Sequence, residues 1–196
     1  GNLVAFPTET VFGIGADALN HIAVRKLYEI KKRPLSHPLI VHVSTPTLIN
    51  YWACNIPNYA FELAHHFWPG PLTLILNRSS LVADFVTGKQ DSVALRIPDH
   101  DVALKLLREF TDLGGKGLAA PSANKFQAVS PTNAEEVLLE LGEDLNKYTD
   151  FILDGGKCRV GIESTILDCR NESPEVLRVG IITSEAIEDI TKIKMT

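Results

Sequence analysis

The opening run Leu3-Val4-Ala5-Phe6 is cut at Pro7, and that cut constrains the fold more than any other feature of the sequence. Proline has no N–H to give a sheet ladder, so a buried strand ends there. Phe6–Ala16 then supplies the hydroxyls of Thr8 and Thr10, the carboxylate of Glu9, and Gly13 and Gly15. A strand ending in polar side chains and glycine is where an open α/β sheet receives a ligand. The rest of the chain is expected to bring positive charge and hydroxyls to this spot.

The same punctuation recurs. Asn20 caps a predicted helix to about Lys32, with Ile22, Leu27 and Ile30 as buried positions, and Pro34 forces its end. Leu39–Val43 reads as a strand buried on both faces, so the start has the β-loop-α-β layout of a parallel crossover. A helix from Pro57 stops at the stiff corner Trp68-Pro69-Gly70-Pro71, before the strand Leu72–Leu76. Val93–Ile97 is a strand stopped by Pro98, and Asp99 caps the next helix, to Phe110. Leu118–Asn124 is a small-residue strand running into a polar loop, and Thr132 or Asn133 caps a helix stopped by Gly142. Strands at Phe151–Leu153, Ser164–Leu167 and Val176–Arg178 precede a last helix capped by Thr183 or Ser184. Helices and strands alternate early and strands dominate late, which predicts an α/β fold: one open, twisted mixed sheet with helices on its faces.

At 196 residues and 45% hydrophobic content, the chain is expected to form one domain over 1–196. It opens on Gly1 and enters a strand almost at once, so a native N-terminal element is expected to be missing. No apolar run approaches the length of a membrane span. Cys54, Cys158 and Cys169 match neither a complete disulfide framework nor a zinc spacing, which points to a reducing, cytoplasmic setting. The net charge of -5 argues against a general nucleic-acid surface. Between His21 and His42, however, Arg25, Lys26, Lys31, Lys32 and Arg33 stand against Glu29 alone, a cluster suited to a compact anion.

Gly13-Ile14-Gly15-Ala16-Asp17-Ala18 fits G-x-G-x-x-A, but no helix opens on it and the chain twenty residues on is basic, so the glycines read as permitting a tight turn. Lys31-Lys32-Arg33 either complements the helix dipole or binds polyphosphate through Lys31 and Arg33, one a point charge and the other a fork. Arg96, inside an apolar strand, and Arg178, near the end of another, each need an anion, from the protein or from a ligand. Ser122 and Asn124 leave their strand as a hydroxyl and an amide aimed in one direction. No nucleophile motif is present, so these groups suit positioning and charge neutralisation, as in adenylyl or phosphoryl transfer.

Taken together, Phe6–Gly13, Lys31–Pro34, Pro38–His42, Trp68–Thr73, Val93–Pro98, Ala120–Asn124, Ser130–Thr132 and Glu163–Ile166 resemble, in order, the YrdC/TsaC family of L-threonylcarbamoyladenylate synthases. The resemblance implies a large basic cavity and the condensation of L-threonine, bicarbonate and ATP into threonylcarbamoyl-AMP, with pyrophosphate released and Mg2+ assisting. It implies downstream threonylcarbamoyl transferase proteins that modify adenosine at position 37 of tRNA. By position, Lys31, Arg33, Ser122 and Asn124 match the family's catalytic tetrad; Thr8, His42, Arg96, the Ala120 backbone and Ser164 would hold threonine. Lys31, Arg33, Ser92, Ser122, Asn124, Ser130 and Arg178 would meet ATP. Phe12 replaces a frequent Tyr, Val179 replaces a Pro, and the length suits the short, single-domain type. Two rival readings are an RNA-binding module using the same cavity and a carbamoyl-adenylate-forming relative with another acceptor.

Overall fold

The computed structural model describes residues 1–195. Its strands are β1 (Val4–Phe6), β2 (Gly13–Asp17), β3 (Ile40–His42), β4 (Leu72–Asn77), β5 (Ser92–Arg96), β6 (Leu118–Ala119), β7 (Phe151–Ile152), β8 (Thr165–Asp168) and β9 (Glu175–Arg178). They form one nine-stranded mixed sheet in the order β7-β1-β2-β6-β3-β5-β4-β8-β9. The helices are α1 (His21–Lys31), α2 (Ile49–Trp52), α3 (Asn58–Phe67), α4 (Asp84–Thr87), α5 (Asp101–Asp112), α6 (Ala134–Leu141) and α7 (Ser184–Thr191). The expected α/β class and open mixed sheet are present.

The opening differs from expectation. Gly13–Asp17 is a strand rather than a turn, paired antiparallel with β1, so Pro7–Phe12 is a hairpin loop. The parallel crossover runs from β2 through α1 to β3, which flank β6 and are both antiparallel to it. Gly15 serves close packing within this strand, whereas a Cβ on Gly13 would meet only ordinary contacts at 3.6 Å. A Cβ on Gly15 would sit 3.0 Å from Phe6 Cε1, tighter than side chains ordinarily tolerate.

Asn20 caps α1 by accepting from Ile22 N and Ala23 N, and Lys32 ends it in the left-handed region with φ 53°. The buried face carries Ala23, Val24, Leu27, Tyr28, Ile30 and Lys31. Ile22 lies on the far side of the cylinder and is 74% exposed, so the expected buried position there is wrong. His100, not Asp99, caps α5, its Nδ1 accepting from Val102 N. The main core includes Leu3, Phe12, Ile14, Leu27, Val41, Trp52, Leu63 and Leu95. A smaller cluster packs α5, through Ala103 and Leu107, onto Phe6, Leu118 and Ala120. No helix among the described residues is long and apolar enough to cross a membrane.

Candidate functional site

Side chains alternate across a strand, so β3 divides its residues between two environments. Val41 is buried in the main core, whereas Ile40 and His42, with Pro38 ahead of them, line a polar cavity. The cavity therefore follows β3 and the two residues ahead of it, from Pro38 to His42, a span of about 13 Å at an extended rise. Thr8, Thr10, Gly13, Arg33, Arg96, Ala120, Ser122, Glu163 and Arg178 complete its walls. A roomier groove between α1 and α4 shares only Arg33 with it. That groove's floor is Tyr28, Leu35 and Phe85, without the converging hydroxyls that distinguish the polar cavity.

One end is built around Arg96, brought beside His42 by the parallel register of β3 and β5. Arg96 is 4% exposed; its Nε donates to Gly70 O at 3.2 Å and its Nη2 to Thr10 Oγ1 at 3.1 Å. Glu9 Oε1 lies 2.8 Å from the same Nη2, although neither Glu9 oxygen accepts an aligned hydrogen bond. Burial first, and the Arg96 charge second, push His42 down to about 3, so it is neutral at ordinary pH. Its Nδ1 has no hydrogen-bond partner among the described residues, and its ring meets Phe6 edge-on at 6.0 Å.

Arg33 marks the other end. Its Nη2 donates to Pro38 O at 2.9 Å and its Nε to His37 O at 3.4 Å. Arg178 enters from β9, with Nε on Ser164 O and Nη2 on Ser164 Oγ, both at 2.9 Å. Burial lowers the pKa of both arginines, opposed in part by Glu163. Glu163 is 3.5 Å from Arg178 and accepts from Ser130 Oγ at 2.7 Å.

The structure sorts the expected residues. Thr8, Arg33, His42, Arg96, Ala120, Ser122 and Arg178 come together on the cavity. Thr8 is less available than expected, since its hydroxyl donates to Val11 O at 2.7 Å and accepts from Val11 N and Thr10 N. The Ala120 N–H is spent on Ile40 O, leaving its carbonyl. Ser122 turns its hydroxyl to the cavity without a protein partner among the described residues. Lys31 does not line the cavity: its Nζ donates to Ser122 O at 2.5 Å and to Asn124 O, latching α1 to that loop. The Asn124 amide also serves the loop, donating to Lys125 O and Ala128 O. Ser164 is fully buried between Arg178 and Thr73, and Ser130 reaches the cavity only through Glu163. Ser92 is not brought there; it lies about 13 Å along β5 from Arg96, and its hydroxyl donates to Gln90.

Glu9 and Thr10 were read as polar groups of the opening loop, and Glu163 only as the start of a matching stretch; none of the three was assigned a role at the site. The spacing of Thr8 and Thr10 was the available signal, because residues two apart in an extended stretch share a side. Val179 in place of Pro does not release Arg178, which Ser164 holds at two atoms. Among the described residues no group of three or more His, Cys, Asp or Glu is placed to hold a metal. The cavity's one lining carboxylate, Glu163, is engaged by Ser130 and faces Arg178, a donor set that does not fit a resident Mg2+.

The Sua5/YciO/YrdC family model, described as telomere recombination, matches residues 1–180. A threonylcarbamoyl-AMP synthase from Pyrococcus abyssi is 45% identical over 97% of this chain and 54% of its own length. One from Bacillus subtilis is 45% identical over 96% of this chain and 52% of its own. The chain thus spans about half the length of these curated relatives. The crystal structure of P. abyssi Sua5 complexed with L-threonine superposes with a TM-score of 0.90 at 42% identity, covering 100% of this chain and 55% of that one. Escherichia coli YciO shares the fold, with a TM-score of 0.78 at 21% identity over 95% of this chain and 87% of its own.

Proposed function

The chain belongs to the Sua5/YciO/YrdC family, and on that premise we propose that it forms L-threonylcarbamoyl-AMP from L-threonine, bicarbonate and ATP, releasing pyrophosphate. The observation that carries the reading is that one cavity is lined by Arg33 beside Pro38 and by Arg96 beside His42, two cationic forks set apart along the chain of β3. Arg96, beside neutral His42, is matched to an amino-acid carboxylate, and P. abyssi Sua5 has been crystallised with L-threonine. Arg33, Arg178 and the free Ser122 hydroxyl are matched to phosphates.

In this reading the threonine amine adds to CO2 derived from bicarbonate, giving a carbamate and releasing one proton. A carbamate oxygen attacks the α-phosphorus, the bond from that phosphorus to the bridging oxygen breaks, and pyrophosphate leaves. Arg33 and Arg178 stabilise the charge that gathers on the leaving group, and Lys31 acts indirectly by holding the Ser122 loop in place. Mg2+ travels with the nucleotide as part of the substrate, and no step is assigned to a protein-held ion. The product is a mixed anhydride whose acceptor, for tRNA modification, is the adenosine at position 37, to which a downstream transferase passes the threonylcarbamoyl group with AMP leaving.

The test is pyrophosphate release from ATP with L-threonine or bicarbonate withheld in turn. Release that needs both supports the reading. Release indifferent to threonine refutes it, and dependence on a different amine names the nearer alternative, a relative with another acceptor.

A further inference from the structure

Buried polar atoms in folded chains nearly always find partners, so each exception needs a reason. Among the described residues the unpartnered side-chain atoms are both carboxylate oxygens of Glu9, Nδ1 of His42 and Oδ1 of Asn124. Three of these four belong to residues around one guanidinium. Glu9 Oε1 is 2.8 Å from Arg96 Nη2, and His42 is the register partner of Arg96 on the neighbouring strand.

Glu9 is 3% exposed and does not line the cavity, so it faces Arg96 from behind the wall. Thr10 Oγ1 and Gly70 O take Nη2 and Nε, and Nη1 has no protein partner among the described residues. A buried ion pair stabilises a fold only when alignment is good and the remaining lone pairs are satisfied. Here neither condition holds, and core stability does not account for the carboxylate.

We propose that Glu9 is a positioning residue for the amino-acid substrate. It tethers the Nη2 side of Arg96 at the back of the cavity, so that Nη1 is presented to the substrate carboxylate. The proposal rests on Arg96 receiving that carboxylate, as read above.

L-Threonine is titrated calorimetrically into the wild-type chain and into Glu9→Gln, Arg96→Gln and doubly substituted proteins. Steady-state constants for L-threonine and ATP are measured in parallel at fixed bicarbonate. Glu9→Gln is expected to weaken L-threonine about tenfold and raise its KM, with the ATP KM unmoved and kcat within about threefold. In the Arg96→Gln background the second substitution is expected to add nothing. Unchanged threonine affinity in Glu9→Gln, an equal loss in both backgrounds, or a fall in kcat at constant KM each overturns the proposal. An unmoved ATP KM shows that the variants are folded. Wild-type protein that ignores L-threonine sinks the functional reading itself, whereas wild type that binds it beside an equally good Glu9→Gln sinks this proposal alone.

Discussion

Lys31 is 1% exposed, and burial, with Arg33 second, lowers its pKa from 10.5 to about 7 against partial support from Glu163 and Glu140. In the unfolded chain the same ammonium titrates at about 10.4. Between those values the unfolded chain holds a proton that the folded chain has released, so stability rises with pH at up to about 1.4 kcal/mol per unit. Cys158, raised by burial to about 11, and Tyr28, raised to about 12, act oppositely above their own unfolded pKa values. There the unfolded chain loses protons first. The window from about pH 7 to about pH 8, below the ordinary thiol range, therefore isolates Lys31, and its contribution across it is about 1 kcal/mol.

The comparison is urea unfolding of wild type and Lys31→Met at intervals across that window. Groups common to both proteins cancel in the difference. Methionine leaves the Ser122 and Asn124 carbonyls without their donor, so the variant carries a constant offset. The slope, not the offset, decides: the wild-type advantage is expected to grow with pH. Parallel curves would show that Lys31 keeps an ordinary pKa, and the picture of a desolvated latch would fail.

Other perturbations separate the two ends of the cavity. Arg96→Lys is expected to raise the L-threonine KM about a hundredfold, because an ammonium cannot reproduce the fork; a near-normal KM would remove Arg96 from the carboxylate site. Glu163→Gln removes the negative charge facing Arg178 and is expected to tighten binding of a non-hydrolysable ATP analogue in calorimetry. Weaker binding would mean that the carboxylate assists the nucleotide. Gly15→Ala places a Cβ 3.0 Å from Phe6 Cε1 and is expected to cost about 1–3 kcal/mol by overpacking, read as a lower Tm. A Phe6→Leu background should relieve much of that cost, and full additivity would refute the contact as its cause.

The sequence made the elements legible where short-range physics decides them. Asn20, Asn133 and Thr183 cap their helices as read, and the prolines at 7, 34 and 98 lie just past the ends of β1, α1 and β5. It failed at β2, because Gly13 and Gly15 carry a turn signal in any local scheme, and the Phe6 ring across the hairpin, which explains Gly15, is not a local feature. The site was legible as chemistry but not as direction. Lys31 and Arg33 sit two residues apart, yet Lys32 in the left-handed region separates their paths, sending Lys31 to the loop carbonyls and Arg33 to the cavity. The pairing of Glu9 with Arg96, 87 positions apart in sequence, depends on how the hairpin loop lies over β5, which no local signal encodes.

The three cavity arginines share a pattern that bears on how such a site stays ready. Arg33, Arg96 and Arg178 each commit Nε and Nη2 to protein acceptors, and none has a protein partner at Nη1 among the described residues. Most of those acceptors are backbone carbonyls, which orient a guanidinium without cancelling its charge. The forks are thereby fixed before any ligand arrives, and little side-chain entropy remains to be lost on binding. The cost is repulsion between neighbouring cations, visible in the way Arg96 lowers the pKa of Arg178. An anion entering between them relieves that repulsion and supplies the acceptors that Nη1 lacks. Ligand binding and fold stability are therefore linked through the same three side chains, and a phosphate-bearing ligand should stabilise the chain by mass action in proportion to its occupancy of the cavity.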